Sequence, residues 1–193
     1  MAGFWADAVT EPKRAYRWVM NFRGIDQWVM KKVTKPNFTV SEAEHSFLNY
    51  KFFYPGRVEW NDITCTLVDP ISPDASATLM KLLKDGGYVY PDNIEMDGPV
   101  TISKKKSIGA VGGSIFIKQI DADGQGIIEA WELKNPWIKS INFGDLSYED
   151  DAIVEIEVGL RYDWARLIDS SSRGRINMLP GHPRIHPDAA GDI

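Results

Sequence analysis

The sequence predicts a mainly β fold, a β-sandwich or barrel-like body with one flanking α-helix and an extended hairpin. Three observations carry this. Ile153 to Trp164 alternates apolar and polar residues without a break, the signature of a strand with one face on a core and one in water. Phe38 to Tyr54 is crowded with aromatic residues, which favour strands and buried interfaces. Only one stretch, after Ser72-Pro73, has a helical period.

The organising stretch comes first. Val154, Ile156, Val158, Leu160, Tyr162 and Trp164 fall on the core side of one long predicted strand, and Glu155, Glu157, Arg161 and Asp163 on the wet side. Such a strand needs partners for its backbone N–H and C=O groups. Tyr16 to Phe22 alternates likewise, Gly24-Ile25-Asp26 supplies a turn, and Trp28 to Val33 returns, which predicts a hairpin. Phe52, Phe53 and Tyr54 are consecutive and must occupy both faces of any strand. That leaves two readings: a strand buried on both sides, or an extended hairpin whose faces meet other subunits. Between Val58 and Leu67 the apolar parity switches at Asn61-Asp62, which predicts a β-bulge.

Ser72 as cap, Pro73 at the first helical position, and the Ala77, Leu79, Met80, Leu82 and Leu83 stripe define the helix, with Gly86-Gly87 as its stop. Lys104-Lys105-Lys106 reads as a solvated edge. Ser114 to Ile120 and Ile127 to Leu133 form a hairpin, and Trp137 to Phe143 a short strand. Residues 1–168 are taken as the β domain, with an arm up to Pro12, and residues 169–193 as an extended, Pro/Gly-rich C-terminal tail.

Composition excludes several functions. A formal charge of −5 opposes binding driven by phosphate neutralisation. One cysteine, Cys65, allows no internal disulfide and no multi-cysteine zinc site, and its place on the apolar face with Ile63 and Leu67, between two threonines, makes it a core residue. No apolar run reaches the roughly 20 residues that span a bilayer, and no signal-peptide core is visible near the N-terminus, so a cytoplasmic site of synthesis and no membrane partner are expected. Asp121, Asp123, Gln125, Gly126 and Glu132 match the spacing of a calcium-binding loop, but their strand-like flanks make the segment a hairpin turn. GAVGG at 109–113 lacks the Gly-Lys-Ser/Thr ending of a phosphate loop and reads as a flexible connector. His182 and His186 are separated by Pro183, which breaks a helical metal pair. No catalytic residues, cofactor site or metal site are predicted.

The order of segments from Tyr16 to Trp164 resembles the tail tube proteins of contractile-tailed bacteriophages. The motifs are WVMKKVTKPNFTV, EAEHSFLNYKFFYPGRVEWNDITCTLVDP, the helix after ISPDA, and LKNPWIKSINFGDLSYEDDAIVEIEVGLRYDW. The resemblance implies a homo-oligomer of hexameric rings that stack into a tube, with strands of six subunits closing one barrel around a lumen. It implies a virion protein assembled in the host cytoplasm, in contact with the tail sheath, the baseplate and the tape-measure protein. DNA would pass through the lumen without specific binding. Related tubes occur in contractile injection systems, and a tube initiator or terminator is the alternative within this class. On this resemblance Phe47, Leu48, Tyr50, Phe52, Phe53 and Tyr54 are expected at intersubunit contacts, and Glu155 and Glu157 either at the lumen or on the outer surface or an intersubunit seam with Arg161 and lysine partners. A monomeric β-sandwich binding module is the alternative of a different class. It requires aromatic residues gathered around a concave site.

Overall fold

The computed structural model of the chain describes residues 12–93, 101–124, 126–149 and 151–168. The N-terminal arm up to residue 11 and the tail from Asp169 lie outside the described residues, as do residues 94–100 and Gln125 of the calcium-like spacing. The strands are β1 (Trp18–Asn21), β2 (Met30–Val33), β3 (Phe38–Phe47), β4 (Tyr50–Trp60), β5 (Ile63–Val68), β6 (Ser114–Ile120), β7 (Ile127–Lys134), β8 (Trp137–Asn142), β9 (Glu155–Arg161) and β10 (Trp164–Ile168). Two helices join them, α1 (Ala75–Asp85) and α2 (Lys104–Ala110). The strands make two four-stranded antiparallel sheets, in the orders β1-β6-β7-β10 and β2-β5-β9-β8, and a separate two-stranded ribbon, β3-β4.

The sheets share one core. From the second sheet come Ile63, Cys65, Leu67, Ile156, Val158 and Leu160, and from the first Met20, Ile115, Ile117 and Leu133. Ala75, Leu79 and Leu82 of α1 join the same cluster beside Phe22 and Ile25. Removing the Val, Leu, Ile, Met and Phe side chains of this cluster from water stabilises the fold by about 1.5–3 kcal/mol each. Cys65 is a core residue, as its flanks predict, and burial pushes its thiol pKa up to about 12, so it is not a nucleophile at neutral pH.

The long strand predicted from Ile153 to Trp164 is two strands. Ile156, Val158, Leu160 and Tyr162 face the core as their even numbers require, but the chain leaves the second sheet after Arg161 and enters the first at Trp164. There Ala165 takes the buried position and Trp164 turns outward. Parity cannot reveal a crossover between sheets, because the apolar residues on either side of it face one shared core. The predicted bulge at Asn61-Asp62 is instead the passage from the ribbon into the sandwich: β4 ends at Trp60, and β5 begins in the second sheet at Ile63. The predicted hairpin between Tyr16 and Val33 also divides. β1 pairs with β6 and β2 with β5, and only an isolated Phe22–Ile25 bridge joins the two stretches.

Asp74, not Ser72, caps α1, its carboxylate accepting a hydrogen bond from the Ala77 N–H at 2.8 Å. Gly86 ends the helix as predicted, and Gly87 follows at φ +106, where an added Cβ would lie 2.6 Å from the Thr101 carbonyl. The lysine run is a helix start rather than an edge. Ser103 Oγ accepts from the Lys106 N–H, the lysines point to water, and Ala110 and Val111 are buried. GAVGG is accordingly no flexible connector but the end of α2, with the Gly113 N–H donating to the Ile108 carbonyl at 2.8 Å. Asp121 to Gly126 is the turn between β6 and β7, as predicted, with Asp121 N–H donating to the Gly126 carbonyl.

At one end of the sandwich Glu129 holds the two sheets together. Burial opposes its ionisation, but hydrogen bonds from Lys13, from Lys35 at 2.8 Å and from the Trp131 indole at 2.7 Å outweigh that and bring its pKa down to about 2. A carboxylate with a folded pKa below its unfolded value adds stability above the unfolded pKa and loses it as pH falls through the folded one. Glu129→Gln should therefore lower Tm at pH 7 by a few degrees, on the order of 1 kcal/mol. The difference between the two proteins should shrink between about pH 4.5 and pH 2 in paired thermal melts. An identical Tm at pH 7 would show that the cluster does not hold the sheets.

Candidate subunit interface

The ribbon β3-β4 stands apart from both sheets. Its eleven-residue second strand reaches about 35 Å at 3.3 Å per residue. Every residue from Phe38 to Glu59 is exposed, which overturns the reading of Phe38 to Tyr54 as a strand buried on both sides. The exposed side chains are not the polar ones expected of an arm in water. Leu48 is 83% exposed, Tyr50 67% and Phe52 48%, and Phe38, Val40, Phe47, Phe53, Tyr54 and Val58 are similarly bare. A two-stranded ribbon is at best marginally stable in water by itself, and scattered exposed apolar residues need no explanation, whereas a contiguous set does.

Pairing fixes which residues share a side. Phe47 lies opposite Tyr50, His45 opposite Phe52 and Ala43 opposite Tyr54, while Ser46 faces Lys51 and Glu44 faces Phe53. Residues opposite each other in an antiparallel pair project to the same side. A bulge interrupts the ladder between Val40 and Glu42, where β4 spends one residue more than β3. Gly56 and Arg57 there oppose Ser41, whose Oγ accepts from the Arg57 N–H at 2.8 Å. A Cβ on Gly56 would fall 2.4 Å from that oxygen, so the close approach requires glycine.

The root of the arm is tied to the sandwich. Asn61 donates from its backbone to the Asn37 carbonyl at 3.0 Å and from its amide to Asn37 Oδ1 at 2.6 Å. Trp60 stacks edge-on against Phe38 at 5.3 Å and lies 6.0 Å from Tyr162. Arg161 donates to the Trp60 carbonyl and to Asp62, and Lys139 donates to Asp62 from across the sheet. The bond from Lys139, opposed by partial burial and reinforced by Arg161, keeps the Asp62 carboxyl below its ordinary pKa. Tyr162 buries its hydroxyl at this root without a hydrogen bond of good geometry. Burial therefore raises its pKa, with the Asn37 backbone pulling weakly the other way.

Glu155 and Glu157 lie on the outer side of the second sheet, whose inner side is the core. Glu155 pairs with Lys31, and Glu157 sits opposite Thr66 and Asn142. Lys32 borders the same shallow, polar surface. Arg161 is not part of it, being engaged at the arm root. The first sheet differs, because Phe116, Lys118, Ala130 and Glu132 on its outer side are buried too. Sequence reading missed this. Glu132 is held by Lys134 and Arg166, an arrangement visible only once β7 and β10 are paired. Among the described residues no group of three His, Cys, Asp or Glu side chains is placed to hold a metal ion. No helix among them is long and apolar enough to cross a membrane.

No family model and no curated protein matches the sequence. Solved structures do match the fold. A chain of the PVC sheath–tube complex of an extracellular contractile injection system, in the extended state, aligns at TM-score 0.60 with 15% identity, covering 83% of this chain and 94% of that one. The chain has the contractile tail tube fold. The tube-terminating cap of the anti-feeding prophage aligns at TM-score 0.59 with 16% identity over 88% of this chain and 100% of its own. The PVC sheath/tube terminator aligns at 0.55 with 18% identity, covering 83% and 99%. The tube fold here is the antiparallel sandwich with its flanking helices, and the aromatic arm is the part of it that no other strand among the described residues covers.

Proposed function

We propose that the protein is a structural subunit of a contractile tail tube, assembling as hexameric rings that stack into the conduit for DNA ejection. The observation that carries this is the arm: an aromatic ribbon rooted in the core and bare along its length. Phe47, Leu48, Tyr50, Phe52, Phe53 and Tyr54 are the intersubunit contacts of its outer half. Pairing with neighbouring copies covers these side chains and the open strand edges together. The sheath surrounds the tube, the baseplate meets one end, and the tape-measure protein occupies the lumen until DNA passes without specific binding. The particle is a virion component assembled in the host cytoplasm, with residues 1–168 as the tube domain and 169–193 as an appended tail.

The role is structural rather than enzymatic. The resemblance of the fold to a tube-terminating cap favours a terminal component, in a phage or a related injection system, as the second reading. A monomeric binding module is less well supported. The space lined by Trp18, Val33, Ile117 and Trp131 is about 200 Å³, below the usual range of ligand sites; the larger hollow of about 340 Å³ around Lys31, Thr66, Asn142 and Glu157 has no aromatic lining residue, and the exposed aromatic residues gather on the arm instead.

We assign Glu155 and Glu157 to the lumen wall, because the second sheet offers a polar outer side while that of the first is buried. Lys31 and Lys32 make this wall charge-balanced rather than strongly negative.

Negative-stain images of the purified protein should show rings or tubes. Phe52→Asp should leave a folded monomer, because an unpaired charge in an apolar contact costs several kcal/mol, about 2–5 per site, repeated around each ring. Loss of the monomer's circular-dichroism melt would instead place Phe52 in a core. Replacing Glu155 and Glu157 together by Lys should preserve tubes, since register depends on the buried side of β9, and should slow genome delivery through phosphate attraction. Delivery at the wild-type rate would remove these residues from the lumen.

A further inference from the structure

The outer side of the first sheet is dry where that of the second is wet. Its burial is deepest on the two central strands, at Phe116 and Lys118 of β6 and at Ala130 and Glu132 of β7. Toward the edges it fades. Val19 of β1 and Ile168 of β10, in one row with Lys118 and Ala130, are partly buried, and Asn21 and Arg166 in the next row are exposed. A bare sheet face would leave a central lysine in water, yet Lys118 is only 6% exposed. Both helices pack elsewhere, α1 into the shared core and α2 against α1 and β8. Among the described residues no carboxylate pairs with Lys118, because Glu132 is held by Lys134 and Arg166. Burial accordingly lowers the Lys118 pKa.

The chain enters the sandwich beside this patch. Lys13 donates to Glu129, and the Gln119 amide donates to the Arg14 carbonyl at 3.0 Å. Gln119 and Glu129 are the next residues along β6 and β7 from Lys118 and Ala130. In the sequence upstream of that tether, Phe4, Trp5, Ala8 and Val9 recur at i, i+1, i+4 and i+5, the period of an amphipathic helix, and Asp7 and Glu11 are the only charged side chains. A helix about 10 Å across spans two strands about 4.8 Å apart, which is the width over which the burial is deepest.

We propose that residues 1–11 are the layer over β6 and β7, with Phe4, Trp5, Ala8 and Val9 against Phe116, Ala130 and the Lys118 stem, and with an acidic flank suited to the Lys118 amine. The C-terminal tail starts near the same row, after Ile168, but Ser170 to Arg175 offers serines, a glycine and two arginines. That run has no apolar side chain to seal the patch, and it sets cations beside Lys118 and Arg166. The cover belongs to the single chain and does not depend on the tube reading. Without it a second apolar surface besides the ribbon would be bare, and open to disordered association.

Acetylation of the dilute full chain with a trace of acetic anhydride, read at Lys118 by mass spectrometry, tests the cover. In the wild type Lys118 should react far more slowly than the exposed Lys105. Trp5→Asp and Val9→Asp should each speed its reaction by about tenfold or more. Thr10→Asp, on the other side of the helical period, and Leu179→Asp in the tail should leave the rate within about twofold. Thermal melts show that each variant folds, and Trp5→Ala replaces an aspartate variant that does not. Wild-type rates in both Trp5→Asp and Val9→Asp would overturn the proposal, and acceleration by Leu179→Asp alone would give the cover to the tail. Equal acceleration by Thr10→Asp and Val9→Asp would overturn the facing of the segment. A wild-type Lys118 as reactive as Lys105 would show that the side is open.

Discussion

A two-stranded ribbon has no interior, and that constraint governs this molecule. Ten or so paired residues supply backbone hydrogen bonds to each other, but their side chains have nowhere to go except water or another molecule. The chain places aromatic residues along such a ribbon and, among the described residues, anchors it at the root through Trp60, Tyr162, Asn37, Asn61 and the Asp62–Arg161–Lys139 ion cluster. The sandwich is a completed fold: its core is sealed and its sheets are held by Glu129 and the helices. The arm is the exposed part, and the subunit contacts proposed above would cover its aromatic side chains.

The passage from the ribbon into the second sheet and the crossing between the two sheets both lie at this root. β4 passes into β5 at Asn61-Asp62, and β9 into β10 at Tyr162-Asp163. Asp62 and Asp163 both carry lysine partners, Lys139 for the first and Lys104 of α2 for the second. A displaced arm would therefore pull on the corners where the sandwich changes sheet. Load applied to the arm in an assembly reaches the core through Trp60 rather than through a flexible linker.

Much of this was legible in residue order. The β6-β7 hairpin, its Asp/Gly turn, the core position of Cys65 and the helical stripe of α1 follow from period and turn chemistry. The crossing from β9 to β10 did not, because a chain moving between facing sheets presents its apolar residues to one core. α2 was hidden by three lysines whose charge suggested an edge, although Ser103 and the Ala110-Val111 pair marked its start and its buried end. At the site, consecutive aromatic residues showed that both sides of the arm carry apolar side chains. Which residues share a side required the register and the bulge at Gly56–Arg57. The pairing of Glu155 with Lys31 likewise depends on β2 and β9 flanking β5, which no local pattern encodes.

Amide hydrogen exchange across a concentration series is the most direct test that the arm is completed by other copies. In dilute monomer the amides of residues 38–59 should exchange far faster than those of β5 and β9, since the ribbon is exposed throughout and rests on its root alone. As the protein assembles, protection should rise along the arm while the sandwich strands change little. Rapid exchange of the arm in assembled particles, or full protection already in the monomer, would contradict the account.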